Sequence, residues 1–224
     1  MVSIIVPVLN EVEIIEPFLA HLTSLAGEHE IIVVDGGSED GTAELAARWA
    51  QVIRSPRGRA RQMNLGARQA RGDILFFVHA DSRLPRDVAL AIEGALRDPR
   101  VVGGCLSLAI DHPAPIYRLI AVFSNLRVKL FGQMLGDQGI FARREVFQRL
   151  GGFPEMEIME DWEFSARLRS VGRVVQLPLK ITTSARRWQK CGVWRTIWLM
   201  QKIKVLYALG YPPTELRRLY EDVR

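Results

Sequence analysis

Three carboxylates stand within two residues of the ends of largely apolar runs of strand length: Glu11 after residues 3–9, Asp35 after residues 30–34, and Asp81 after Ile74-Leu75-Phe76-Phe77-Val78-His79. An apolar run without alternation reads as a strand buried on both faces, as in the middle of a parallel sheet. Open α/β sheets take their ligands beyond the carboxyl ends of such strands. One acid there can be a helix cap, but three converging on one sheet edge are poorly explained by capping. Arg57, Arg59 and Arg61 crowd a glycine-containing loop ahead of a helix start. Guanidinium forks beside free backbone N–H groups suit a diphosphate, with a solvated basic face as the alternative for any one of them. Glu160 and Asp161 open a later helix, where the macrodipole favours acids and capping is the plainer account.

The frame for these groups follows from the order of the runs. A strand over residues 3–9 leads to a helix from about Pro17, with Phe18, Leu19, Leu22 and Leu25 as its buried stripe. A second strand over 30–35 enters Gly36-Gly37-Ser38-Glu39-Asp40-Gly41-Thr42, a turn rich in glycine and capping side chains. A helix to about Trp49, a strand over 51–54, a helix ending near Gly72 and the strand 74–79 complete a βαβ alternation. That alternation predicts a parallel sheet with right-handed crossovers. Beyond it come a helix over 87–96, a long strand over 101–110 and a helix over 116–131 with Arg118, Asn125 and Lys129 on one polar stripe. Gly136-Asp137-Gln138-Gly139 turns into a short strand, helices end near Leu150 and Gly172, and Ala185-Arg186-Arg187-Trp188 precedes an amphipathic helix bearing Trp and Lys.

With 224 residues, 48% of them apolar and 25% charged, the chain suits one ordinary globular domain. Cys105 and Cys191 are too few for a disulfide framework or a zinc site, which points to a reducing, cytoplasmic setting. The start carries no signal-peptide pattern. Residues 193–209 come nearest to membrane-spanning length but are broken by Arg195, Gln201, Lys202 and Lys204. A net charge of +5 allows nucleic acid, an anionic membrane surface or a phosphorylated small molecule as partner. No basic run is interleaved with stacking aromatics, so nucleic acid is not expected. The Gly36-Gly37 turn lacks the spacing of a phosphate loop and of the dinucleotide fingerprint, which argues against both of those enzyme classes.

Five stretches in this order resemble the family-two glycosyltransferases: Ile5-Val6-Pro7-Val8-Leu9-Asn10-Glu11, Val33-Val34-Asp35-Gly36-Gly37-Ser38-Glu39-Asp40-Gly41-Thr42, residues 58–66, Phe77-Val78-His79-Ala80-Asp81 and Met159-Glu160-Asp161. The likeness covers nearly the whole chain. His79-Ala80-Asp81-Ser82 and Ser184-Ala185-Arg186-Arg187-Trp188 are most similar to a subgroup associated with arsenosugar biosynthesis. The resemblance implies an α/β fold of GT-A type: a Rossmann-like, mostly parallel central sheet flanked by helices, with a helical C-terminal region. Within one domain, residues 1–110 would bind the donor and 111–224 the acceptor.

The same resemblance implies roles. Pro7, Asn10, Glu11, Asp35 and Gly36 would hold the base and ribose of a UDP- or GDP-linked sugar, with Ser38 and Asp40 in the turn beneath. Arg59 and Asn64 would approach the diphosphate. Asp81 would bind a divalent metal, Mg²⁺ or Mn²⁺. Asp161, with Glu160 beside it, would be the base of an inverting transfer to an acceptor hydroxyl. Asp137, Gln138, Gly139, Arg186, Arg187 and Trp188 would face a small-molecule or lipid-linked acceptor. The family's acidic motif usually starts with Asp where this chain has His79, so His79 would contact the ribose or stand behind the metal. A nucleotidyltransferase and a catalytically silent nucleotide-sugar binding module are the alternatives. For the helices over 116–131 and 193–209, core packing, a dimer contact and an interfacial membrane face stay open, the last implying a peripheral location at the inner membrane face.

Overall fold

Runs too apolar to show a wet face dictate the first half of the sheet. In the computed structural model, which describes residues 1–221, β1 (Val2–Val8), β2 (His29–Asp35), β3 (Gln51–Arg54) and β4 (Ile74–Phe77) lie parallel in the order β3-β2-β1-β4. Helices α1 (Val12–Thr23), α2 (Thr42–Ala46) and α3 (Arg59–Gln69) connect them. Ile4, Ile5, Val6, Ile32, Val33, Leu75 and Phe76 are fully buried, as strands covered on both faces must be. The chain runs outward from β1 through β2 to β3, then returns to the other side of β1 as β4. Strand order therefore reverses between β1 and β4. The crevice beyond the carboxyl ends at such a reversal is where open α/β sheets bind ligands.

Past β4 the sheet becomes mixed. It continues with β5 (Ser82–Arg83), α4 (Val88–Ala95), β6 (Val101–Asp111), α5 (Pro115–Phe131), a 3₁₀ turn over Gly136–Gln138, β7 (Ile140–Arg143), α6 (Arg144–Arg149), α7 (Glu160–Ser170) and β8 (Arg173–Ser184). β7 lies antiparallel between β4 and β6, β8 runs parallel to β6, and β5 closes the edge against β8. The α/β class and the flanking helices are as expected; the parallel character belongs mainly to the first half. Helices α8 (Arg186–Cys191), α9 (Val193–Ala208) and α10 (Pro213–Glu221) complete the described chain. No helix among the described residues is long and apolar enough to cross a membrane.

Helix α1 and strand β8 show where the structure departs most from the sequence reading; β5, α8 and α10 are likewise not expected from it. Helix α1 starts at Val12 rather than Pro17, because Asp40 Oδ2 accepts the Val12 N–H at 3.1 Å, a cap delivered from another turn. Strand β8 was absent from that reading. Pro178 interrupts it, and the pairing with β6 jumps between Leu106 and Ser107 to accommodate the irregularity. The neighbouring strand meets this one so closely that a Cβ at Gly104 would run into the Val175 carbonyl.

The C-terminal hairpin positions the start of α7. Leu199, Ile203 and Leu216 are buried with Met159, and Trp162 packs against them. Met159, the residue before α7, sits in the left-handed region at φ 71°, a conformation costly for a non-glycine residue that its packing holds in place.

Candidate active site

The ends of β1 and β2 are joined into one platform. Gln62 of α3 is buried and donates from Nε2 to Val8 O at 2.9 Å and to Val34 O at 2.8 Å. A Cβ at Gly36 would come within 3.0 Å of that amide, so the position favours glycine. Asp35 is buried, and its carboxylate accepts the Gly37 N–H, the Ser38 N–H and the Ser38 hydroxyl. The Ser38 oxygen in turn accepts the Asn10 N–H at 2.9 Å, while Asn10 Oδ1 accepts the Glu39 N–H at 2.9 Å. Asp40 accepts the Thr42 hydroxyl and the Thr42 and Val12 N–H groups, and these bonds, the hydroxyl's foremost, hold its carboxyl below the ordinary range. Asn10, Asp35, Gly36, Ser38 and Asp40 are thus brought together, and their polar atoms serve one another. They shape the platform.

The β1–β4 ladder stops where Ile5 pairs with Phe77, followed by one bond from Val78 N to Ile5 O at 3.1 Å. Pro7, two residues on, faces the same side and has no N–H to leave unpaired there. Beyond that point stand His79 and Asp81. Burial and the neighbouring Arg59 push the His79 pKa down to about 3, so its imidazole is neutral at physiological pH. The Asp81 carboxylate lies exposed at the rim and has no ion pair and no hydrogen bond from another residue among the described residues. Crowding by protein raises its pKa against the pull of Arg186 and Arg59. Glu11, on the β1 side, lies 3.7 Å from the Arg186 guanidinium of α8.

Arg59, the first residue of α3, bridges to the opposite wall: its Nη1 is 3.6 Å from Glu160 Oε1. Burial works against its charge, but Glu160, Tyr220, Asp161 and Asp81 together hold its pKa above the ordinary value. Asn64 lies further along α3, where its Nδ2 donates to Phe153 O at 2.8 Å and its Oδ1 accepts the Phe153 N–H at 2.9 Å, so both ends of its amide are engaged by that backbone.

Asp161 closes the pocket. Its Oδ2 accepts the Gly136 N–H and its Oδ1 the Trp162 N–H, both at 2.7 Å. A Cβ at Gly136 would come within 3.0 Å of His79 Nε2 and 3.4 Å of Asp161 Oδ2. The strand end and the helix start therefore meet over a position that must stay bare. Arg59, Met63, His79, Phe153, Glu160 and Asp161 line the resulting pocket.

Glu160 is buried, and burial plus the Asp161 charge outweigh Arg59, pushing its carboxyl pKa up to about 7. The folded state then binds its proton more tightly than the unfolded chain does between the ordinary 4.5 and about 7, so its contribution to stability is present below that window and lost as pH rises through it. Glu160→Gln is expected to flatten this fall. Urea unfolding of both proteins across that pH range checks it, and parallel curves would refute the assignment.

The acceptor-side stretch divides. Gln138 is fully buried, its Oε1 accepting Arg127 Nη2–H at 2.9 Å, and a Cβ at Gly139 would come within 2.9 Å of the Phe76 ring. Both are enclosed by the protein's own side chains. Asp137 behaves otherwise: its Oδ1 is buried without a hydrogen-bond partner among the described residues, and burial raises its pKa, eased by Arg127. Burial lowers the pKa of Arg127 of α5 and of Lys204 of α9, which face Asp137 and Asp161. Neither cation had any local signal, since distant helices bring them in. Trp188 is half-buried on α8, while the side chain of Arg187 lies outside the described residues.

A family model described as Glycosyl transferase family 2 matches residues 3–150. The chain belongs to this family. Glycosyltransferase AglE of Haloferax volcanii is 29% identical to this family 2 glycosyltransferase over 172 residues, covering 68% of this chain and 56% of the relative. Beta-monoglucosyldiacylglycerol synthase of Synechocystis sp. is 25% identical over 224 residues, covering 86% of this chain and 47% of that protein. The chain thus spans about half the length of these two relatives. Among solved structures, the mannosyltransferase PcManGT from Pyrobaculum calidifontis, in complex with GDP-Man and Mn²⁺, shares the fold with a TM-score of 0.69 at 23% identity, covering 99% of this chain and 68% of that one. The GT-A-type fold follows from this likeness.

Proposed function

We propose that this family 2 glycosyltransferase moves a sugar from a UDP- or GDP-linked donor to an acceptor hydroxyl in one displacement with inversion, Asp161 serving as base. The observation that carries the reading is the meeting of His79, Gly136 and Asp161 beyond the β4 end, with Arg59 reaching both walls. Residues 1–110 would hold the donor and residues 111–224 the acceptor. The GDP-Man complex of the Pyrobaculum enzyme supports the donor class.

Arg59 would set a permanent charge beside the diphosphate leaving group, which gains negative charge as the glycosidic bond breaks. Neutral His79 can bond a donor hydroxyl without adding charge. Among the described residues no three His, Cys, Asp or Glu side chains form a cage for a metal. One free carboxylate, Asp81, nonetheless fits Mg²⁺ or Mn²⁺, which commonly bind through one or two carboxylates plus substrate phosphate oxygens. Such an ion, held by Asp81, would supply further positive charge to the leaving group. On the other wall Asp161 takes the acceptor proton, for which its carboxylate must come within about 3 Å of the hydroxyl. Asp137, Arg127 and Lys204 would border the acceptor. The diacylglycerol in the name of the Synechocystis relative supports a lipid-linked one, and residues 79–82 and 184–188 support placement beside the arsenosugar-associated subgroup.

Inversion has a direct readout. With an α-linked donor and water as acceptor, proton NMR is expected to show the β-anomer of the free sugar first. Release of the α-anomer would overturn the single-displacement reading.

A further inference from the structure

Two helices show an apolar side to solvent. On α5, Tyr117, Ala121 and Val128 are buried, whereas Leu119, Val122, Phe123, Leu126 and Leu130, on the opposite side of the 3.6-residue turn, are 42–64% exposed. Helix α9 repeats the arrangement. Thr196, Leu199 and Ile203 face inward, and Trp194, Trp198 and Val205 face outward, 58–73% exposed. Of the fourteen exposed large hydrophobic residues among the described residues, nine lie on these two helices. An ordinary surface helix presents polar side chains there, and contiguous exposed apolar patches mark interaction sites.

Charge decides what covers them. Neither helix contains an Asp or a Glu, whereas α5 carries Arg118, Arg127 and Lys129, and α9 carries Arg195, Lys202 and Lys204. Exposed Arg118 and Lys129 flank the α5 stripe, and Lys202 Nζ lies 5.0 Å from the Trp198 ring centroid. Tryptophan, phenylalanine and leucine on one face, with cations and no acids on the same helices, is the composition of a helix that lies in a membrane interface. A second copy of this chain would bring like charges against like. An anionic lipid surface supplies the missing sign.

We infer that α5 and α9 dock the protein on an anionic membrane surface, lying in the interface rather than crossing it. The same helices carry Arg127, bonded to Gln138 beside Asp137, and Lys204, whose Nζ lies 5.9 Å from the ring of Trp162 beside Asp161. Docking would therefore bring the acceptor side of the pocket to the lipid. Docking itself stands apart from the transfer reading; only this consequence rests on it.

Sedimentation of the full chain with vesicles tests the inference without any donor. Phosphatidylcholine vesicles containing phosphatidylglycerol are expected to bind it about tenfold or more tighter than phosphatidylcholine alone, with tryptophan emission shifted to the blue. Leu126→Glu combined with Trp198→Glu changes only exposed positions and is expected to abolish binding while circular dichroism and thermal melting stay unchanged. Three results would overturn docking: no affinity for the anionic vesicles, equal binding by the variant, or light scattering showing a dimer that the variant dissolves and that ignores lipid. A folded, vesicle-bound protein without transferase activity would keep docking and sink the transfer reading instead.

Discussion

Asp161→Asn is expected to lower the transfer rate about 10²–10⁴-fold, the usual worth of a positioned general base, while donor affinity stays within about twofold. The substitution keeps the size of the side chain and removes its ability to take a proton. It also disturbs geometry in a predictable way. Both carboxylate oxygens accept backbone N–H groups, from Gly136 and from Trp162. An amide must turn its NH₂ toward one of them, so stability is expected to fall by about 1 kcal/mol, roughly one net hydrogen bond. Steady-state kinetics and calorimetry separate the two effects. Turnover near the wild-type rate would remove Asp161 from the chemistry, whereas loss of donor binding would make it a structural clamp for the Gly136 turn.

Asp81→Asn is expected to act on the other wall and on the other step. Its carboxylate is exposed and has no partner to lose among the described residues, so the fold should be unaffected. Removing this charge should abolish the dependence of nucleotide binding on Mn²⁺ and lower kcat/KM by several kcal/mol, on the order of 10³-fold, the usual worth of a metal at a developing anion. The contrast with Asp161→Asn is the useful part: one variant loses donor affinity and its metal dependence, the other loses only turnover. A variant at Asp81 with unchanged metal response would leave His79 or the platform acids as the ligands.

How much of this could be read from the chain depends on where each signal is stored. The strands β1, β2 and β4 were legible because burial on both faces leaves no alternation, and the Gly36-to-Thr42 turn because its conformation demands glycine and capping residues. Strand β8 was not, since Pro178 breaks its pattern and a tertiary irregularity absorbs the break. The start of α1 is set by Asp40, which no local window contains. The family resemblance put Asn64 near the diphosphate, but partners decide what an amide does, and its partners are the backbone of Phe153. Gln62 does comparable work at the β1–β2 ends with no motif to mark it. The Gly136 stretch stood out in sequence, yet the reason for the glycine, the His79 and Asp161 side chains meeting over it, exists only in three dimensions. Arg127 and Lys204 are invisible for the same reason.

Titration of the wild-type protein with GDP- and UDP-linked sugars by calorimetry, in Mn²⁺ and again in EDTA, decides whether the cleft is a metal-dependent donor site. One nucleotide sugar is expected to bind in Mn²⁺, EDTA or Asp81→Asn to remove most of that affinity, and Asp161→Asn to leave it intact. Binding that ignores both the metal and Asp81, or no binding of either nucleotide sugar, would contradict that expectation.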